Sequence, residues 1–305
     1  MRRMLVLVAV ALAGCGEVAA EPPPAAPSGL LFLAGRDPGT LTRVDAATRT
    51  VTTRRKLRQL GGGDPPNFVH FTGRRLVTFA LGRATSFAPD LSDPRDLGES
   101  WFFVPSATPG RVWNLLLRRG GPATQVYFRG VREVGVDGTP TFARRWNVPG
   151  WPVGAVDDGL VLSRHRLEVW DPGTRRRVRR LPGRFLVGLH RSVVASCNEP
   201  CERLYLDERA VPGRFAPRRG AFSPAGTLLA LPTPGRRIAV VDVVTGVTHH
   251  VPGARVDAGY PLLAWASSGW LFWNAGHGRL GAWRPGEPAR DLGVEVGAFV
   301  DITAS

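Results

Sequence analysis

One stretch constrains the fold more than any other: residues 219–253, RGAFSPAGTLLALPTPGRRIAVVDVVTGVTHHVPG. Its apolar runs at Ala221–Ser223, Leu228–Leu231, Ile238–Asp242 and Val247–Val251 are separated by Pro224–Thr227, Thr233–Gly235 and Val243–Gly246. Short runs rich in β-branched residues, punctuated by Gly, Pro and Asp, describe a four-stranded antiparallel meander. A single sheet of this length cannot bury a core. It needs copies of itself, so the question becomes whether the unit recurs.

The turn between the third and fourth runs does recur. Asp242 and Thr245 hold it here, and the same Asp-x-x-Thr stands at Asp45/Thr48 and Asp171/Thr174. Asp at the head of a turn accepts backbone N–H groups two or three residues on, which makes the spacing a local structural device. Related turns lie near Asp90, Asp137, Asp207 and Trp283–Gly286, giving steps of 34 to 47 residues. That period belongs to propeller blades. We read seven units, with six and eight as alternatives because the second unit is divergent.

The FSPAGTLLAL and IAVVDVVTG segments resemble the blades of WD-repeat-like and TolB-type propellers. The regular Gly-His and Trp-Asp pair of true WD repeats is missing. The resemblance implies an all-β, seven-bladed β-propeller of four-stranded antiparallel blades and implies no activity, because propellers host unrelated functions. The first unit has three strands, Leu30–Leu33, Leu41–Asp45 and Thr50–Arg54, while Val296–Thr303 is left over at the C-terminus. The expectation is that this last strand completes the first blade and closes the ring, removing an open edge.

The N-terminus carries a second signal. Arg2 and Arg3 precede the short apolar run Met4–Ala13, and Leu12-Ala13-Gly14-Cys15 resembles the bacterial lipobox. The run is too short to span a bilayer and reads as a signal peptide. The resemblance implies a lipoprotein: residues 1–14 removed, a lipid on Cys15, a Pro/Ala tether over residues 15–28, and a propeller over 29–305. The other two cysteines, Cys197 and Cys201, are an even pair flanking a tight turn. In an exported chain such a pair is disulfide material. A metal or redox role has little support, since no His lies nearby and the spacing is not C-x-x-C.

The formal charge is +15, yet Lys56 is the sole lysine against 39 arginines. Together with abundant Ala, Gly, Pro and Val, this skew reads as codon bias, and no nucleic-acid partner is expected. Arg175–Arg180, Arg54, Arg55, Arg144 and Arg145 fall on outermost strands, where charge blocks edge-to-edge pairing; an anion-binding rim is the rival reading. The second unit is placed at Asn67–Val104 with a polar insertion at residues 90–99, and the third at Arg111–Val148.

No catalytic motif stands out. There is no G-x-S-x-G, H-E-x-x-H or P-loop, and Ser267-Ser268-Gly269-Trp270 is only superficially like a sialidase turn. Trp113, Trp170, Trp265 and Trp273 fit core positions. His249 and His250 adjoin on a strand, point to opposite faces and cannot easily share a metal. His70 and His190 lie near inner strands and could line a central channel. Asp157-Asp158 is a hairpin turn, and Asp64 has no identifiable partner. No metal, cofactor or catalytic residue is assigned. The leading expectation is a monomeric, non-enzymatic cell-envelope lipoprotein that binds a protein or small ligand and reaches the membrane through its lipid. The alternative is an extracytoplasmic hydrolase or lyase at the channel, recognisable by several carboxylate, His or Arg groups converging at one end. A weaker third reading is a glycan or small-ligand sensor using Trp101 or Trp151.

Overall fold

The computed structural model describes residues 25–35, 40–54, 69–80, 82–100, 102–119, 126–139 and 146–305. These form seven antiparallel sheets arranged as the blades of a propeller, and the described residues include no helix. Blade 1 contains β1 (Leu30–Gly35), β2 (Leu41–Asp45) and β3 (Thr50–Arg54). Blade 2 contains β4 (Val69–Phe71), β5 (Leu76–Ala80), β6 (Arg83–Phe87) and β7 (Arg95–Glu99). Blade 3 contains β8 (Phe102–Pro105), β9 (Arg111–Arg119) and β10 (Val126–Gly135), and Trp146 bridges to Val131 where a fourth strand belongs. Blade 4 runs through β11 (Trp151–Val156), β12 (Gly159–Ser163), β13 (Leu167–Asp171) and β14 (Arg176–Arg180). Blade 5 runs through β15 (Phe185–His190), β16 (Val193–Cys197), β17 (Arg203–Leu206) and β18 (Arg209–Pro212). Blade 6 is β19 (Ala221–Phe222), β20 (Leu228–Pro232), β21 (Ile238–Asp242) and β22 (Thr248–His250), and blade 7 is β23 (Leu263–Trp265), β24 (Leu271–Gly276), β25 (Arg279–Trp283) and β26 (Arg290–Glu295). The last strand, β27 (Phe299–Ala304), pairs antiparallel with β1 and completes blade 1 from its inner side. The ring is therefore closed by the C-terminal strand, as the leftover apolar run at the end of the sequence implies.

The core explains why no blade stands alone. Buried apolar residues fall into seven clusters, and each draws on two adjacent blades. Blades 5 and 6, for example, share a cluster of Val187, Leu204, Leu229 and Val241. Alternation along each strand sends one set of side chains to each flanking blade, so both faces of every inner sheet are covered. Trp113, Trp265 and Trp273 are buried here, while Trp170 is half-buried against the cluster of blades 3 and 4.

The Asp turns sit between the third and fourth strands, where the period places them. Asp45 Oδ1 accepts the N–H groups of Ala47 (3.0 Å) and Thr48 (3.2 Å). Asp171 accepts those of Gly173 (2.8 Å) and Thr174 (3.3 Å), and Asp242 those of Val244 (3.0 Å) and Thr245 (2.7 Å). Cys197 and Cys201 form a disulfide across the loop joining β16 and β17.

Two boundaries differ from the sequence reading. Phe102–Val104 does not finish the second unit; it is the innermost strand of blade 3, paired with Trp113–Leu115 of β9. Residues 90–99 are not an insertion either. Arg95–Glu99 is the outermost strand of blade 2, paired with β6. An outermost strand has one neighbour and a solvated edge, so it reads as polar and irregular in sequence. Arg55, Asp64, Trp101, Arg144, Arg145 and Cys15 lie outside the described residues.

Candidate functional site

Seven innermost strands surround the axis: β27, β4, β8, β11, β15, β19 and β23. With four strands per blade, the chain enters each innermost strand and leaves each outermost strand at the same face of the disc. We call this the entry face. The turns between first and second strands lie on the opposite face. Between the two is a cavity of about 1010 Å³.

Its wall is largely apolar, with Phe71, Phe102, Phe185, Phe222, Leu263 and Trp265 contributing. Glycine on the innermost strands permits close approach of neighbouring blades. A β-carbon at Gly154 would overlap Leu189 Cδ1, and one at Gly188 would press on the Phe222 ring. Both glycines sit where the register shifts, so the chain bulges and the next blade's side chain fills the space.

Charged groups reach this cavity from several blades. Arg184 directly precedes β15, and Arg219 stands two residues before β19, so both belong to the entry-face end. His70 lies in the middle of β4 and Asp301 in β27. The Asp301 carboxylate accepts the N–H of Val69 through Oδ2 (2.8 Å) and of Ile302 through Oδ1 (2.9 Å). Burial pushes its pKa up to about 6, against the opposing pull of the Arg219 charge and the two N–H groups. Burial pushes His70 down to about 3, and Arg219 adds to that shift. Arg219 thus acts electrostatically on residues of two other blades. Thr303 Oγ1 accepts the Phe71 N–H at 3.2 Å, so β27 is stitched to β4 at two points.

At the opposite mouth, His190 ends β15 and is followed by Arg191. Burial and the neighbouring Arg191 lower the His190 pKa, while Asp157 opposes them. Its Nε2 is buried without a hydrogen-bond partner among the described residues. The ring lies 5.8 Å from that of Phe222. Gly226 has a φ of +72°, and a β-carbon there would collide with the His190 ring, so glycine is required at this turn.

His70 and His190, both expected near the channel, do line it, but at different levels. Sequence reasoning missed Arg184, Arg219 and Asp301. The available signal for Asp301 was one acid inside an otherwise apolar closing strand. His249 and His250 are exposed on outermost strand β22, and no cluster of three His, Cys, Asp or Glu suited to a metal occurs among the described residues.

The rim arginines are largely engaged. Of the four on β14, Arg177 and Arg180 pair with Glu168 (3.1 and 3.4 Å), and Arg179 pairs with Asp158 and with Asp207 of blade 5 (3.1 and 2.6 Å). They tie strands and blades together. The exposed aromatic residues have a different location. Trp151 (43% exposed) opens β11, Phe185 (39%) opens β15, and Tyr260 (41%) lies on the approach to β23. All three therefore belong to the entry face. The chain at residues 25–29 joins the disc on the other face. There the Ser28 carbonyl accepts from Ser268 Oγ, in the turn between β23 and β24, and the Ala25 carbonyl accepts from Arg290 at 3.0 Å.

No family model matches the sequence, and no curated protein matches it. Solved structures do match, 891 chains in all, which makes the likeness a statement about fold and selects no activity. One is apo AztD from Citrobacter koseri: 15% identical, TM-score 0.58, over 90% of this chain and 97% of that one. At that identity the likeness shows a shared propeller fold.

Proposed function

We propose that this protein is a non-enzymatic binding lipoprotein of the bacterial cell envelope, related in type to WD-repeat-like and TolB-type propellers. A lipid on Cys15 holds it to the membrane, and its entry face and channel receive a protein or small ligand. The observation that carries the reading is the polarity of the disc. Exposed Trp151, Phe185 and Tyr260 share one face with the mouth of an apolar-walled channel, while the chain that leads back to Cys15 leaves from the other. A tether of residues 15–28 reaches at most about 50 Å when extended, and in this reading the aromatic face is the one opposite the point of attachment. Aromatic residues exposed beside a pocket are favourable contact surface.

In-cell crosslinking of the tethered protein tests this, with a photoreactive residue at position 185 and a control on the outer strand at position 176. Enrichment of one species by the first probe alone supports the reading, and equal capture from both positions overturns it. Fatty-acid labelling should mark the wild type and leave Cys15→Ser unlabelled; label persisting in the variant ends the lipoprotein claim.

The convergence of His70, Asp301 and Arg219 favours a second reading, a hydrolase or lyase at the channel. Against it, Asp301 is the one side-chain carboxylate lining the cavity among the described residues, and it already accepts two backbone N–H groups. Paired acid–base chemistry needs a second group that titrates near neutrality, and burial holds His70 down at about 3.

A further inference from the structure

We propose that the channel binds an organic anion with an apolar body, its charged head held by Arg219 opposite Asp301 and His70. This rests on the reading of the channel as a ligand site and adds the ligand's chemistry.

Three observations carry it. First, Arg219 lines the cavity and forms no hydrogen bond or ion pair with a described residue, although its charge acts on both His70 and Asp301. An exposed guanidinium at the channel mouth that no described residue engages is matched to a carboxylate, sulfonate or phosphate head. Second, positive side chains outnumber negative ones in the cavity. Among the described residues the charged or titratable side chains lining it are His70, Arg184, His190, Arg191, Arg219 and Asp301. Burial lowers the pKa of both histidines, and three arginine side chains face one carboxylate side chain. Low-dielectric walls concentrate that field. Third, the wall around the charged groups is aromatic and aliphatic, which suits a ligand with an apolar body over a bare inorganic ion.

Asp301 adds a pH dependence. Burial raises its pKa to about 6. Below that value it is neutral and can donate a hydrogen bond to an anionic head; above it, a like charge faces the ligand. The arginines remain protonated, and His70, pushed down to about 3, stays neutral. Anion affinity therefore rises as pH falls through 6.

The test is calorimetric titration of the folded protein with octane-1-sulfonate, which stays ionised throughout, beside octan-1-ol as the uncharged comparison. The sulfonate should bind at pH 5.5 at least about tenfold tighter than the alcohol, as expected for charge-assisted hydrogen bonds. It should weaken at pH 7.5. Arg219→Ala should lose about tenfold or more, and Asp301→Asn should remove the difference between the two pH values. Arg176→Ala, on the outer strand, should change nothing. Sulfonate binding no tighter than alcohol binding, or unchanged in Arg219→Ala, overturns the proposal. Alcohol binding without a sulfonate preference does so while leaving a ligand channel in place, and the crosslinking experiment judges that reading separately. Arg219 lies at the channel mouth and is not packed in the core, so its variant keeps the test decisive should Asp301→Asn fold poorly.

Discussion

Asp301 and His70 lie on neighbouring innermost strands and titrate in opposite directions on folding. The Asp301 pKa rises from 3.8 to about 6, so the folded state binds its proton more tightly. Its contribution to stability is fully present below 3.8 and is lost as pH rises to about 6. The His70 pKa falls from 6.5 to about 3, so its contribution is present above 6.5 and is lost as pH falls. Over the shared window, about pH 4 to 6, the two slopes oppose and stability stays nearly level. Single substitutions separate them. Asp301→Asn should leave a protein whose stability rises with pH across that window, and His70→Gln one whose stability falls by up to about 3 kcal/mol. Urea midpoints at pH 4.5, 5.5 and 6.5 read both slopes; parallel slopes in the two variants would contradict the assignment. None of this was visible in the sequence. Asp301 and His70 are 231 positions apart, and an Asp in FVDITA carries no local mark of the Val69 N–H that it serves. The turn residues were legible for the opposite reason. Asp45, Asp171 and Asp242 bond their own neighbours, so the chemistry is written within four residues.

At the scale of strands, legibility follows burial. Inner and middle strands are apolar and appear as clean runs, whereas outer strands are solvated and blend into loops, which is why residues 90–99, with strand Arg95–Glu99 inside them, read as an insertion. Packing between blades is more demanding than packing within them. Gly154 of blade 4 leaves room for Leu189 of blade 5, and Gly154→Ala should cost roughly 1–3 kcal/mol, as overpacking does. Denaturant unfolding checks this, and Leu189→Ala added to Gly154→Ala should recover part of the loss because the two share one space. The disulfide is a second element-scale device. It closes a loop with a sequence separation of only 4, so the chain-entropy contribution is about 2 kcal/mol. Both cysteines are also buried in the cluster shared by blades 5 and 6, and Cys197→Ala with Cys201→Ala should lower stability without abolishing folding. Free-thiol counting under denaturing, non-reducing conditions should find neither sulfur reactive.

For the whole molecule, closure is the decisive step, and one strand performs it. β27 gives blade 1 its innermost strand through pairing with β1, places Phe299 and Ile302 in the cluster shared by blades 1 and 7, and donates Asp301 and Thr303 to the link with blade 2. Three blades therefore depend on six residues that lie about 270 positions from their pairing partners on β1. The cost of that arrangement is the entropy of closing the entire chain into a ring, which grows only slowly with length. Removing the strand exposes the inner edge of β1 and opens two inter-blade clusters at once. A chain ending at Gly297 should lose the single cooperative thermal transition of the full protein, unfolding earlier and in more than one step. A permutant tests whether connectivity or contact is responsible. Ser305 N donates to the Leu30 carbonyl at 2.9 Å, so β27 can be fused ahead of β1 through a short turn, with the new C-terminus at Glu295. That chain keeps the strand pairing and packing of β27 while making the closing pair local in sequence. It should unfold in one transition near that of the parent and refold faster, because the closing pair no longer waits for a ring-sized loop. A truncated chain as stable as the parent would show that β27 fills a gap without holding the ring. A permutant as weak as the truncation would place the stabilisation in chain connectivity and not in the strand's contacts.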